Sequence, residues 1–178
     1  GSLSEAIPDF AERELGNLTW IVDFNRQSLD GHRITNNKIY GTDDHRIQLM
    51  MEANGWQVIH ARHGKKREKL FKRDGGALFR ELFEGGLADY ELQVLLLLHE
   101  GAAARAFIIE KMPKLEKFLK ALTDEELLNA IADFGGHNFE TLLESYQASK
   151  AETRRPTMVI AHTIKGWGLR MAANPGNH

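Results

Sequence analysis

The sequence predicts an α/β protein, a parallel sheet flanked by helices. Three short apolar runs, at 17–24, 56–61 and 157–163, hardly alternate with polar residues, which is typical of strands buried on both faces. Stretches with helical periodicity separate the three runs. Strands that alternate with helices along a chain favour a parallel sheet over hairpins.

The first element is predicted to be a helix. Ser2 followed three residues later by Glu5 has the form of a capping box at a helix start. We expect this helix to run through Phe10 towards Gly16. Pro8 is tolerable only near the first turn, because proline lacks the N–H that a helix interior uses.

Two further helices are predicted around the second strand. Residues 41–55 have the pattern of a capped helix that ends at Gly55, and residues 75–86 form a segment bracketed by glycines. The basic run at 62–73 is interpreted as a solvated helix face. A nucleic-acid patch would need interleaved aromatic residues and a basic overall balance, which this sequence does not offer.

Helical signals alone fill the stretch from Asp89 to Tyr146, which predicts a helical insertion at 89–150 within the α/β framework. Thr123 with Glu126 forms a second capping box. Asn138, after two glycines, is expected to cap the next helix. The inner face of that helix is predicted to carry Phe139, Leu142, Leu143 and Tyr146.

Composition excludes several classes of protein. The 178 residues contain no cysteine, so disulfides and thiolate metal sites are excluded, and a cytoplasmic location is expected. A net charge of −2 gives no general attraction to nucleic acid or anionic membranes. The longest apolar run, 94–98, is far shorter than the roughly 20 residues that cross a bilayer.

Polar residues follow the first and third predicted strands. Ligands of parallel sheets bind beyond the carboxyl ends of the strands. Asn25 stands at the first such end, and His162, Thr163 and Lys165 at the other. Asn25 has two interpretations: its amide oxygen caps a turn, or it is a ligand for Mg²⁺ or Ca²⁺, which prefer oxygen donors. The residue pattern leaves both open.

Five segments in this order resemble the homodimeric, decarboxylating first component of bacterial pyruvate dehydrogenase complexes. They are NLTWIVDFNRQSLDG, GWQVI, LTDEEL, GGHN and PTMVIAHTIKGWG. The chain resembles the second half of the diphosphate-binding (transketolase N-terminal) domain of these enzymes. Related segments occur in transketolases, which share the thiamin diphosphate-binding fold.

The resemblance implies a set of site residues. Asn25 and the main-chain carbonyl of Gln27 correspond to ligands of the Mg²⁺ that holds the cofactor's diphosphate. Leu29 corresponds to a residue that touches the cofactor, and Lys165 to one near the reaction centre. His178 corresponds to a catalytic histidine that takes part in acyl transfer to a lipoyl group.

Asp23 is also assigned to the cofactor site by the resemblance. The pyruvate enzymes usually carry asparagine at this position, whereas transketolases often carry aspartate. The Gly-Asp-Gly segment that supplies the remaining magnesium ligand in these families does not occur in the 178 residues. We therefore expect the chain to be part of a longer polypeptide, and inactive in isolation.

The function implied by the resemblance is decarboxylation of a 2-oxo acid, pyruvate first of all, with thiamin diphosphate and Mg²⁺. The acetyl group would pass to a lipoyl-bearing acyltransferase component, and the enzyme would be a homodimer. Two alternatives remain: transketolase-like two-carbon transfer between sugar phosphates, and a catalytically silent domain that supports assembly.

Overall fold

The sheet has the parallel architecture that the sequence predicts. A computed structural model describes residues 2–27, 43–174 and 176. Strands β1 (Thr19–Phe24), β2 (Gln57–Ala61) and β3 (Thr157–His162) pair in the order β1-β3-β2, and both pairs are parallel. The last strand in the chain therefore lies at the centre of the sheet.

Helices account for most of the remaining described residues. They are α1 (Ser2–Glu12), α2 (Asp43–Ala53), α3 (Lys65–Phe71), α4 (Gly76–Glu81), α5 (Asp89–Leu97), α6 (Gly101–Lys111), α7 (Glu116–Lys120), α8 (Asp124–Ala132) and α9 (Phe139–Ala151). A π-helical turn, Leu82–Gly86, continues α4, and short 3₁₀ turns cover Pro113–Leu115 and Gly135–His137. Within the described ranges, no helix has the length and apolar character needed to cross a membrane.

Two predicted helix caps are confirmed. The Thr123 hydroxyl accepts a hydrogen bond from the Glu126 N–H at 3.1 Å, and the Glu126 carboxylate accepts one from the Thr123 N–H at 3.0 Å. At the start of α9, Asn138 Oδ1 accepts from the Thr141 N–H at 3.0 Å. Each cap satisfies an N–H group that the first helical turn leaves without a helical acceptor.

The described chain divides into two compact units. The sheet unit comprises the described residues of Gly1–Phe24, Asp43–Gly64 and Phe134–Thr163, and the helical unit those of Asn25–Thr42, Lys65–Asp133 and Ile164–His178.

The core of the sheet unit lies between one face of the sheet and helices α1 and α2. Trp56, Met158 and Ile160 are buried there together with Ile7 and Met51. The indole N–H of Trp56 donates to the Ile7 carbonyl at 2.8 Å, so the largest side chain of this core is also satisfied as a donor.

The prediction that all three strands are buried on both faces is right for β3 alone. All six residues of β3, the central strand, are buried. Along β1 the burial alternates, and Ile21 is 48% exposed. In the described sheet β1 and β2 are edge strands, and four of the five residues of β2 are only partly buried.

Helix α9 presents a different face to the sheet than the sequence predicts. Its buried residues are Thr141, Ser145 and Ser149, whereas Phe139, Leu143 and Tyr146 are exposed and Leu142 is partly buried. Small side chains let the helix axis lie close to β2 and β3. Their hydroxyls are satisfied locally: Thr141 donates to the His63 carbonyl, Ser145 to the Thr141 carbonyl, and Ser149 pairs with the Thr19 hydroxyl.

The first helix is shorter than predicted. α1 ends at Glu12, four residues before Gly16, because Glu14 adopts a left-handed backbone conformation with φ of 52°. Pro8 lies inside α1 beyond its first turn, contrary to the expectation. The predicted end of the second helix is confirmed, since α2 stops at Ala53 and Gly55 follows with φ of 81°.

The basic run is not a uniformly solvated face. Lys66 and Lys69 on α3 are exposed as predicted, but Arg67 is buried within the helical unit. Its guanidinium donates to the carbonyls of Ala130 and Ile131, both at 2.8 Å, and lies 3.9 Å above the ring of Phe83. Burial lowers the pKa of Arg67 to about 9, which still leaves the group charged at pH 7. Arg67 thus supplies donors to the carboxyl end of α8.

Candidate functional site

The carboxyl ends of β1 and β3, which carry the polar residues singled out in the sequence, lie side by side. Phe24 is in register with His162, and the Thr163 N–H donates to the Phe24 carbonyl at 3.3 Å. The Thr163 hydroxyl donates to the Asp23 carboxylate. Asp23, one of the predicted cofactor residues, is thereby tied to the residue that follows β3.

The Asn25 side chain makes a local turn. Its Oδ1 accepts a hydrogen bond from the Gln27 N–H at 3.0 Å, the contact expected when asparagine caps a turn. An amide oxygen has two lone pairs and can accept from two partners. The contact also brings the Gln27 main chain against the Asn25 side chain.

Arg26 holds this turn, a role that sequence reasoning missed. Its backbone is left-handed, with φ of 56°, which is uncommon for a residue with a Cβ atom. The guanidinium donates to the Asp89 carboxylate and, at 2.7 Å, to the Leu87 carbonyl. The Gln93 amide donates to the Arg26 carbonyl at 3.3 Å. The start of α5 therefore fixes the residue between the two predicted magnesium ligands.

The donor set of this turn suits a hard cation. The Asn25 amide oxygen and the Gln27 main-chain carbonyl are both neutral oxygens, which Mg²⁺ accepts as ligands. Among the described residues, the side-chain Oε1 of Gln27 is buried without a hydrogen-bond partner, so a further oxygen donor lies in the same turn. These oxygens fit part of a magnesium shell, to which a carboxylate must be added.

The other predicted site residues have different outcomes. Lys165 is partly buried in the turns that follow β3, and its carbonyl accepts from the Ala173 N–H at 3.0 Å. Leu29 and His178 lie outside the described residues. Their predicted contacts with cofactor and lipoyl group stay predictions.

The GGHN segment approaches the ends of two strands. A Cβ atom on Gly135 would lie 2.5 Å from the carbonyl carbon of Ala61 at the end of β2, and one on Gly136 would lie 2.5 Å from the His162 carbonyl oxygen. Both distances are far inside van der Waals contact. The two glycines are therefore required by close backbone approach at this edge of the sheet.

A second polar cluster in the sheet unit was not predicted. Asp44 from α2, His60 from β2 and His162 from β3 bring one carboxylate oxygen and two ring nitrogens within 4.8 Å of one another. Asp44 and His162 are buried, and His60 is partly buried. Arg62 donates to the same Asp44 carboxylate.

The electrostatics of this cluster favour neutral imidazole at His60. Burial, followed by the positive charge of Arg62, lowers the pKa of His60 below its usual range. No sequence pattern marks the cluster, because its three residues lie on separate elements and meet only through the strand order.

Comparison with known proteins supports the motif-based resemblance. No family model matches the chain. Pyruvate dehydrogenase E1 component of Corynebacterium glutamicum is 31% identical over 164 residues, which is 92% of this chain and 17% of that protein. The E1 component of Buchnera aphidicola subsp. Schizaphis graminum is 29% identical over 177 residues, which is 99% of this chain and 19% of that protein. The E1 component of Escherichia coli K12 is 29% identical over 175 residues, which is 97% of this chain and 18% of that protein.

The chain thus spans less than a fifth of the length of these relatives. Its motifs, its parallel α/β fold and these identities agree with one another. Over nearly all of its length, the chain is similar to one segment of bacterial pyruvate dehydrogenase E1 components.

Proposed function

We propose that this chain is the diphosphate-binding part of a thiamin diphosphate-dependent 2-oxo acid dehydrogenase. The enzyme decarboxylates pyruvate and transfers the acetyl group to the lipoyl group of an acyltransferase component. The observation that carries the proposal is the similarity to E1 components over at least 92% of the chain in each of the three relatives. The turn at Asn25, at the carboxyl end of β1, supports it.

Within this proposal, Asn25 Oδ1 and the Gln27 carbonyl are the atoms that would hold Mg²⁺, through which the diphosphate would be anchored. The Arg26 contacts with the start of α5 keep these two oxygens in place. Thiamin diphosphate, when bound, supplies the carbon nucleophile and the electron sink for decarboxylation. The contribution of this chain is to bind and orient the diphosphate end.

Four further residues complete the proposed site. Asp23 and Leu29 would contact the cofactor, and Lys165 would supply a positive charge near the reaction centre. His178 acts in transfer of the acetyl group to the lipoyl carrier. Replacement of His178 by alanine is expected to spare decarboxylation with an artificial electron acceptor and to reduce lipoyl acetylation. Equal losses in the two assays would remove His178 from the transfer step.

The magnesium assignment is tested by Asn25→Ala in the full-length polypeptide that carries these residues. Loss of one ligand weakens the holding of the cofactor, so the apparent affinity for Mg²⁺ and thiamin diphosphate should fall about tenfold or more. Turnover at saturating cofactor should change less, because the bond-breaking chemistry belongs to the cofactor. Titration of activity with cofactor separates the two effects.

Asn25→Asp is the matched control, because the aspartate carboxylate keeps an oxygen ligand for Mg²⁺ at this position. Cofactor affinity near that of the unmodified protein is expected. Asn25→Ala with an unchanged cofactor dependence would show that Asn25 is a turn residue alone.

Asp23 favours a second candidate function. Aspartate at this position is the transketolase pattern, and here it accepts the Thr163 hydroxyl. Assay of the full-length protein with pyruvate and a lipoyl domain, against pentose phosphates, distinguishes decarboxylation from two-carbon transfer. Absence of both activities, with cofactor bound, would favour the silent assembly domain.

A further inference from the structure

Three ligand-type atoms converge inside the sheet unit, from three different elements. His60 Nδ1 lies 3.4 Å from His162 Nε2, and the two nitrogens lie 3.6 Å and 3.5 Å, respectively, from Asp44 Oδ2. The three atoms form a nearly equilateral triangle. Asp44 is fully buried and His162 is almost so, which limits competition by solvent.

The size of this triangle matches a metal coordination shell. Zinc binds histidine nitrogen and carboxylate oxygen at about 2.0–2.2 Å in tetrahedral geometry. Neighbouring ligand atoms of such a shell are then about 3.3–3.5 Å apart. The observed separations equal these values to within about 0.1–0.2 Å, so small side-chain adjustments bring all three atoms onto one ion.

A second layer of hydrogen bonds sets the tautomer of His60. The Gln48 amide nitrogen donates to Glu52 at 2.8 Å, which turns the Gln48 amide oxygen towards His60 Nε2 at 3.0 Å. An amide oxygen only accepts, so His60 Nε2 carries the proton. His60 Nδ1 then faces Asp44 and His162 with a lone pair, the form that binds a metal.

Arg62 is the competing charge at this position. Its guanidinium donates to Asp44 Oδ2, and its Nη2 lies 3.4 Å from His60 Nδ1. A cation held by the three atoms would share the carboxylate with Arg62 or displace it. Removal of the guanidinium should therefore strengthen cation binding. If the three residues formed only a hydrogen-bonded network, the same change would not produce tighter cation binding.

We propose that Asp44, His60 and His162 form a binding site for a divalent transition-metal ion of the Zn²⁺ type. Two imidazoles and one carboxylate suit zinc and its neighbours better than Mg²⁺, which keeps oxygen ligands. The site uses none of the residues of the proposed magnesium turn and does not depend on the proposed function. A bound ion would join α2, β2 and β3 by direct bonds.

The test is a titration of the tag-free 178-residue protein with Zn²⁺ in competition with a chromophoric chelator. The midpoint temperature of thermal unfolding is measured at each Zn²⁺ concentration. One Zn²⁺ should bind per chain with micromolar or tighter affinity and raise the midpoint, because a ligand specific to the folded state stabilises it. Mg²⁺ at the same concentrations should leave the midpoint unchanged. Co²⁺ should give the intense visible absorption of a tetrahedral site.

Variants identify the ligands. His60→Gln and His162→Gln should each weaken Zn²⁺ binding at least about tenfold, and Gln48→Leu about tenfold through loss of the tautomer-setting acceptor. His99→Gln, at an exposed histidine of the helical unit, is the control and should have no effect. Arg62→Met should tighten binding several-fold. If His162→Gln does not fold, His60→Gln still tests whether these imidazoles bind Zn²⁺, because His60 is partly exposed and its replacement disturbs the core less.

Two results would overturn the proposal. One is the absence of stoichiometric Zn²⁺ binding, which would leave the cluster as a hydrogen-bonded network. The other is binding that His60→Gln does not weaken, or that His99→Gln weakens equally, which would place the ion on surface imidazoles.

Discussion

Replacement of Arg26 tests how the turn after β1 is held. The Arg26 side chain is only 6% exposed and its partner Asp89 15%. The guanidinium makes two contacts at the start of α5, with the Asp89 carboxylate and the Leu87 carbonyl. Arg26→Ala removes both contacts but keeps a Cβ atom in a left-handed backbone. Arg26→Gly removes the same contacts without that steric cost.

The expected magnitudes follow from this geometry. Loss of one partner of a buried ion pair costs about 3–5 kcal/mol. Because both side chains keep some exposure, we take about 3 kcal/mol, and add about 1 kcal/mol for the hydrogen bond to Leu87. Arg26→Ala should therefore lower the free energy of unfolding by about 4 kcal/mol. Arg26→Gly should be less destabilising by about 1 kcal/mol, since glycine adopts positive φ freely.

Urea unfolding followed by circular dichroism measures both variants, with Arg26→Lys as a third. Lysine keeps the charge but loses the planar two-bond geometry, so an intermediate loss is expected. Two results would show that Arg26 does not hold the turn in this way. One is a free energy of unfolding for Arg26→Ala within about 0.5 kcal/mol of that of the unmodified protein. The other is a glycine variant that is less stable than the alanine variant.

Three further predictions concern single residues. Arg67→Met should destabilise the protein by about 2 kcal/mol in urea unfolding, because two α8 carbonyls lose their donor while removal of a buried charge offsets part of the loss. Lys66→Met, at an exposed position of the same helix, is the control. Equal losses of stability in the two variants would contradict the structural role of Arg67. Thr123→Ala should lower the free energy of unfolding by about 1 kcal/mol in the same assay, and Thr123→Ser should lower it hardly at all, because serine retains the capping hydroxyl. Similar losses in the two variants would show that the hydroxyl does not stabilise the helix as a cap. Backbone N–H groups and an arginine lower the pKa of the Glu152 carboxyl from 4.5 to about 2, so the stability that its charge contributes should be complete above pH 4.5 and disappear as the pH falls towards 2. In thermal unfolding from pH 6 to 2, the unfolding temperature of Glu152→Gln should therefore approach that of the unmodified protein in acid. A difference that stays constant with pH would contradict this role of Glu152.

Local signals in the sequence determined the elements of this protein and much of their order. The three strands, the Thr123–Glu126 capping box and the Asn138 cap depend on residues within a few positions of one another, so periodicity and hydrogen-bonding capacity identify them. The sequence also indicated, through the general rule for parallel sheets, that ligands bind where the first and third strands end. That these two ends are adjacent follows from the strand order. The family-level similarity rests on the same short segments.

Only the tertiary structure decided which faces are buried and which distant side chains meet. Helix α9 buries its Ser/Thr face because small side chains permit close packing on the sheet, although hydrophobicity alone predicts the opposite face. Arg67 belongs to a run that the sequence predicts to be solvated, and no sequence pattern marks Arg26, yet each donates to carbonyl oxygen at a helix end. The cluster of Asp44, His60 and His162 exists because β3 enters the sheet beside β2, and pairing between distant segments leaves no local pattern.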